Sequence, residues 1–406
     1  MGVGRSPTGK TDPLDRVVVV GASLAGTRAA EALRREGFTG RLTLVGDEAH
    51  QPYDRPPLSK QFLAGTWDEE RIRLRVGDEL DAEWRLGVRA VGLDTGAREV
   101  ELAGGERVPY DGLVIATGAA PRTLPGVELE GVFVLRTLDD SIALKKALAG
   151  ATRVAVLGAG FIGCEVAATC RGLGLEAALV DIFDHPLFRV LGAEMGAVCG
   201  RMHAEHGAEL HMGVASERIE GDGGRATGIT LADGTFVAAE VVVVGIGVTP
   251  ATEWLAGSGL TIDDGVVCDE TCAAIGVEGV PIEGVVAAGD LARWTNPLFG
   301  RAMRLEHWTN AAEQADHAAA RLWSGPEVGP FAPVPYFWSD QYDAKIQLVG
   351  IPGPDVQVLE GSVEERKFVA GYGEGGRLVG ALGFSSPRRL MQYRALVEQR
   401  APFPPT

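Results

Sequence analysis

The feature that most constrains this chain is a glycine-rich turn that occurs twice. Residues 17–33 read VVVVGASLAGTRAAEAL, and residues 156–165 repeat the idea as VLGAGFIGCE. Each is an aliphatic run, then closely spaced glycines, then a stretch with helical periodicity. That order predicts a buried parallel strand, a tight turn and a helix. The glycines let a pyrophosphate approach the backbone, and the helix N-terminus receives its charge. One such turn is weak evidence for a nucleotide site. Two, each leading to a second strand that ends on an acid, are strong evidence.

In the first copy residues 16–20 form the strand, Gly21 and Gly26 bracket the turn, and residues 24–36 continue as helix. A second strand over 41–45 leads to Asp47, 21 residues past Gly26, where a ribose-binding carboxylate belongs. The middle glycine of the pattern is replaced by Ser23, which crowds a pyrophosphate but offers a hydroxyl to it. The second copy keeps Gly158, Gly160 and Gly163 after a strand over 154–157. Its next strand, over 177–180, ends on Asp181, 18 residues past Gly163. A carboxylate there accepts ribose hydroxyls and repels a 2′-phosphate, so NADH is expected over NADPH. The following Ile182, Phe183, Asp184 and His185 bring no arginine to reverse this.

The repetition extends beyond the turns. LAGGERVPYDGLVIATGAAP at 102–121 mirrors LADGTFVAAEVVVVGIGVTP at 231–250. Two nucleotides facing each other are the natural content of two such units. GVVAAGDLARW at 284–294 and the helical stretch 306–323 start no third repeat. They complete the first unit, with the second inserted into it. The fold class expected is therefore α/β: two Rossmann-like dinucleotide-binding domains, one inserted in the other, followed by a small C-terminal α+β domain whose sequence alternates as strands do. The boundaries expected are a disordered lead over 1–15, a first domain over 16–122 and 251–325, an inserted domain over 123–250, and an interface domain over 326–406.

With 406 residues the chain has room for two or three cores, and its net charge of −17 argues against a nucleic-acid partner. Local basic groups remain at Arg293, Arg301 and Arg304 and at Arg388, Arg389 and Arg394. No apolar run approaches the roughly 18 residues of a membrane helix, so no membrane partner is expected. Five cysteines without a CxxC suit reduced thiols in the cytoplasm.

The ATG at 116–118 and AAGD at 287–290 resemble the two-domain flavin disulfide-reductase superfamily. More narrowly, DRPPLSK (54–60), RTLDD (136–140), GAGFIGCE, EHWTNA (306–311) and FWSDQY (337–342) are similar to the putidaredoxin reductase-like NADH:ferredoxin reductases. The resemblance covers nearly the whole chain from Arg16 onward. It implies non-covalent FAD in the first unit, NADH in the second, and electron delivery to a [2Fe–2S] ferredoxin that serves a cytochrome P450 or a ring-hydroxylating oxygenase. For FAD it implies Gly21, Ser23, Leu24, Ala25, Gly26, Asp47, Lys60, Ala90, Thr117, Arg136, Asp290 and Trp308. For NAD it implies Gly158, Gly160, Ile162, Gly163, Glu165, Asp181 and Gly247. Lys60 and Glu165 are the catalytic candidates, and a monomer or weak dimer is expected.

Each of these has a plainer reading. Lys60 by position alone is a surface lysine, and Glu165 an acid favoured by a helix dipole. The sharper reading pairs them where nicotinamide meets flavin. Trp308 and Trp338 are either core aromatics or flavin neighbours. Cys164 beside Glu165 reads as a small core residue. His203, His206 and His211 invite a metal, but no carboxylate or thiol completes a set, and none is expected. Arg301 and Arg304, with Arg293 as a weaker member, are expected to face the ferredoxin. Two alternatives stay open on this fold: an NADH oxidase or disulfide reductase, and a redox-sensing flavoprotein similar to apoptosis-inducing factor.

Overall fold

The computed structural model describes residues 14–405, so the expected lead lies outside the described residues except for Leu14 and Asp15. The chain forms two compact units. The first comprises the described residues through Tyr53, then Arg73–Ala119 and Pro250–Pro333. Its six-stranded sheet has the order Ala273–Ile275, Pro281–Ala287, Gly112–Ile115, Arg16–Val20, Arg41–Gly46, Glu83–Leu86. All neighbours are parallel except the first pair. The four valines after Arg16 are fully buried, as a strand covered on both faces requires. The late strand Pro281–Ala287 pairs in parallel with Gly112–Ile115, so the chain returns to its first sheet after the second sheet is complete. The helix Trp308–Ser324 buries Ala315, Ala318, Ala319 and Leu322 in this unit. Leu322 packs so closely on the sheet that a Cβ at Gly112 would stand 3.1 Å from its Cδ2. This is the inserted topology expected from the sequence.

The second unit comprises Asp54–Ile72, Ala120–Thr249 and the described residues from Val334. Its all-parallel sheet has the order Glu209–Met212, Glu176–Asp181, Arg153–Leu157, Val241–Val244, Val132–Val134. The mirrored sequence segments make mirrored structures. Each unit carries a three-stranded antiparallel layer: Ala90–Asp94, Glu99–Leu102 and Arg107–Pro109 in the first, Ser216–Asp222, Arg225–Leu231 and Phe236–Ala238 in the second. The tail forms a five-stranded antiparallel sheet from Tyr336–Gln341 to Arg377–Phe384, followed by the helix Pro387–Glu398, which buries Leu390 and Val397.

This grouping cuts the chain differently from the boundaries read in sequence. The segment 54–72 belongs with the second unit because its backbone is tied there. Ser141 Oγ donates to the Leu58 carbonyl at 2.8 Å, and Thr169 Oγ1 donates to the Ser59 carbonyl at 2.8 Å. No helix among the described residues is long and apolar enough to cross a membrane.

Candidate functional site

The first glycine turn is closed too tightly for side chains. Gly21 has φ +111°, and a Cβ on it would lie 2.0 Å from the Ala116 carbonyl oxygen. A Cβ on Gly26 would lie 1.7 Å from the Gly21 carbonyl oxygen. These two glycines therefore hold the helix Leu24–Arg35 against the sheet. Ser23 caps this helix with extended backbone, and its hydroxyl makes no capping hydrogen bond. Leu24 and Ala25 form the first turn, and Asp47 is exposed just past the strand Arg41–Gly46.

Thr117 and the loop before Asp290 lie against this turn and its helix. Gly289, at φ +83°, would place a Cβ 3.1 Å from Ala25 Cβ and 3.8 Å from Ala311 Cβ. The loop carrying Asp290 thus lies beside the first helix and beside the start of Trp308–Ser324. That helix begins at Trp308, two residues later than Glu306, with His307 at its cap. Thr117 Oγ1 donates to the Ala251 carbonyl at 2.8 Å, and buried Ala90 opens its strand.

The basic residues here are not equivalent. Arg304 is only 12% exposed in its side chain. It bridges Glu306 at 2.7 Å, Asp264 at 3.3 Å and the Asp290 carbonyl at 2.9 Å. Arg293 pairs with Asp263. Arg304 is thus a brace for the Asp290 loop, and Arg301 presents its side chain at the surface.

The second turn repeats the first with one difference. A Cβ on Gly158 (φ +98°) would lie 2.3 Å from the Gly245 carbonyl oxygen, and one on Gly163 would lie 1.9 Å from the Gly158 carbonyl oxygen. A Cβ on Gly160, the helix cap, would meet no protein atom within 4 Å. The space beside Gly160 is open, and its backbone at φ −76° demands no glycine. The Asp181 carboxylate accepts hydrogen bonds from Ala159 N at 2.6 Å and Phe183 N at 3.0 Å, which fixes it next to the turn. Ile162 lies in the first helical turn. Gly247 is exposed at φ +101°, its carbonyl accepting from Arg122 N at 2.9 Å. The residues present fit a dinucleotide at both turns.

Within the second unit Lys60 and Glu165 form a buried ion pair at 2.9 Å, with side chains 11% and 7% exposed. Pro56–Ser59 is a single tight helical turn with two prolines, and it delivers Lys60 at its end. Glu165 sits in the helix Phe161–Gly172 directly after the glycine turn. Ser59 Oγ donates to Glu165 Oε2 at 2.5 Å and Ser339 Oγ to Oε1 at 2.7 Å. The Arg136 carbonyl accepts from the Arg55 guanidinium at 2.6 Å. Sequence reasoning missed Ser59 and Ser339, although both lie inside the PPLSK and FWSDQY motifs.

All five cysteines are buried thiols. Burial pushes Cys170 and Cys199 up to about 12 and raises the other three as well. Thiols held protonated in this way are poor nucleophiles, which disfavours disulfide chemistry. His203 is buried and bonded to Gln341 and Tyr342, His206 stacks on Tyr342 at 3.9 Å, and His211 lies 2.9 Å from Glu209. The three imidazoles thus serve packing and hydrogen bonding. No metal-ligating cluster occurs among the described residues.

Comparison with known proteins adds the following. Residues 15–315 match the family described as pyridine nucleotide-disulphide oxidoreductase, and residues 336–406 match the reductase C-terminal family. The chain is 38% identical over 396 residues to rhodocoxin reductase of Rhodococcus erythropolis, covering 96% of this chain and 91% of the relative. It is 37% identical over 390 residues to the anthranilate 1,2-dioxygenase system ferredoxin–NAD(+) reductase component of Burkholderia cepacia, covering 94% of each. The crystal structure of the covalent putidaredoxin reductase–putidaredoxin complex matches with a TM-score of 0.89 at 32% identity, over 96% of this chain and 94% of that chain.

Proposed function

Because the chain belongs to the pyridine nucleotide-disulphide oxidoreductase family, among its putidaredoxin reductase-like members, we propose that it carries electrons from NADH through FAD to a [2Fe–2S] ferredoxin serving a cytochrome P450 or a ring-hydroxylating oxygenase. It is an NADH:ferredoxin oxidoreductase that uses FAD and NADH. The observation that carries this reading is the second turn: an open cradle at Gly160, flanked by glycines that admit no Cβ and by an anchored carboxylate at Asp181.

FAD, when bound, takes two electrons together and releases them one at a time, which suits an iron–sulfur partner. The chain supplies placement and charge. The first turn and Asp290 are the FAD-holding group. The second turn receives the pyrophosphate of NADH, and Asp181 takes its ribose. Lys60 supplies a buried cation that offsets negative charge building up at the redox centre, and Glu165 holds that cation in place. Steady NADH-driven turnover of a [2Fe–2S] ferredoxin tests the proposal. A single bleaching of the flavin followed by a stall would indicate a sensor instead.

Two results are expected along the way. Acid precipitation should release all the yellow colour into the supernatant, since these residues hold FAD by contacts alone. Colour retained in the pellet would refute this. Arg301→Glu should raise the KM for an acidic ferredoxin by about tenfold at low salt, while NADH–ferricyanide turnover stays near wild type. An equal loss in both assays would make Arg301 structural, the behaviour expected of Arg304→Glu, which would unbrace the Asp290 loop.

A further inference from the structure

The FWSDQY motif is only partly used by the function above, and it contains a strained residue. Tyr342 has φ +54° in the two-residue turn between Tyr336–Gln341 and Ala344–Gly350. A bulky residue in this left-handed region is a conformational outlier where glycine would be at ease. Its ring stacks on His206 at 3.9 Å, and its hydroxyl lies 3.0 Å from His203 Nδ1. From there an unbroken series of contacts runs inward. His203 Nε2 is 3.0 Å from Gln341 Oε1, Gln341 Nε2 is 3.0 Å from Ser339 Oγ, and Ser339 Oγ is 2.7 Å from Glu165 Oε1. His203, Gln341 and Ser339 are each 0% exposed, so water offers them no other partner.

The directions of the three inner bonds in this series follow from its inner end. Glu165, paired with Lys60, only accepts, so the Ser339 proton points to it. Ser339 Oγ must then accept, which puts the Gln341 amide nitrogen against it and the amide oxygen towards His203. His203 therefore carries its proton on Nε2. Burial pushes His203 down to about 4, which keeps the ring neutral, so Nδ1 is an acceptor and the Tyr342 hydroxyl donates to it.

We propose that Tyr342, His203, Gln341 and Ser339 form a one-way series of donors ending on the Glu165 carboxylate, and that Ser339 and Gln341 are positioning residues that hold this carboxylate against Lys60. The proposal rests on the reading of Glu165 and Lys60 as the charge pair of the redox centre. Tyr342 is the outermost donor, and each bond polarises the next inward. Gln341 interrupts any movement of a proton along the series, so the device fixes charge and does not conduct it.

The test uses the full-length flavoprotein with ferricyanide as acceptor. Ser339→Ala should lower kcat about 10- to 100-fold, the range for losing a hydrogen bond to a charged group, with the KM for NADH within about twofold of wild type. Gln341→Met should lower kcat less, by about threefold, and covers the case in which Ser339→Ala fails to fold. On a Glu165→Gln background, Ser339→Ala should change kcat by less than about threefold, because there is no charge left to hold. Independent of turnover, 15N spectra of histidine-labelled protein should show His203 as the neutral Nε2–H tautomer at pH 7, with its signal identified by loss in His203→Gln. Effects that multiply fully on the Glu165→Gln background, or an Nδ1–H tautomer, would overturn the proposal. If the wild type reduces ferricyanide but no ferredoxin, the reductase reading fails while the tautomer and the mutant cycle still judge this series.

Discussion

Gly160→Val is expected to weaken NADH binding and NADH-driven turnover by about 5- to 150-fold while the protein folds, keeps its FAD and shows a normal flavin spectrum. The added methyls would occupy the space that a pyrophosphate needs, and overpacking a filled site by that volume costs about 1–3 kcal/mol or more, which is roughly 5- to 150-fold in affinity. The fold has no objection, since a Cβ at this position meets no protein atom and the backbone there suits any residue. Gly160→Ser reproduces the residue that the first turn already carries at Ser23 and should keep most of the activity. Gly163→Ala is the opposite control. Its Cβ would lie 1.9 Å from the Gly158 carbonyl oxygen, so stability should fall along with NADH binding. Isothermal titration with NAD+ and thermal unfolding separate the two cases. Normal NAD+ affinity in Gly160→Val would remove the nucleotide from this turn.

Asp181→Asn is expected to narrow the preference for NADH over NADPH by about 5- to 150-fold, mainly through KM for NADPH. The estimate is the repulsion of a 2′-phosphate by a nearby carboxylate in a partly dry site, on the order of 1–3 kcal/mol. Asparagine keeps an oxygen for the Ala159 or Phe183 N–H and removes the charge. Asp181→Ala also loses both carboxylate oxygens that accept from the Ala159 and Phe183 N–H groups, so it should also raise KM for NADH. FAD content should not change in either variant. A ratio unaffected by Asp181→Asn would place the ribose elsewhere.

Much of this architecture is legible because its signals are local. The β-branched runs and turn glycines locate Arg16–Val20, Arg41–Gly46, Arg153–Leu157 and Glu176–Asp181 to within a residue or two. The mirrored segments 102–121 and 231–250 likewise announce the antiparallel layers and return strands. The grouping of residues 54–72 with the second unit is not legible, since it depends on hydrogen bonds from Ser141 and Thr169 far along the chain. The same limit hides the surroundings of Glu165. Ser339 and Gln341 are small polar letters in a strand, 174 residues from Glu165 and 138 from His203. The sequence leaves His203 without a role until Gln341 and Tyr342 are seen beside it. Arg304 reads as surface charge because nothing in RAMRLEH signals that Asp264, Glu306 and the Asp290 carbonyl enclose it.

The inserted topology has a consequence for biosynthesis. Gly112–Ile115, whose core residues Leu113, Val114 and Ile115 are wholly buried in the finished protein, pairs on one side with Arg16–Val20 as soon as both have left the ribosome. Its other side waits for Pro281–Ala287, roughly 165 residues later. At translation speeds of about 5–20 residues per second that is on the order of ten to thirty seconds during which an apolar parallel edge stands open on the nascent chain. Ribosome pausing anywhere in the insert lengthens that interval. Chaperone demand and aggregation during overexpression should therefore follow the codon speed of residues 120–280 more closely than the stability of the finished enzyme.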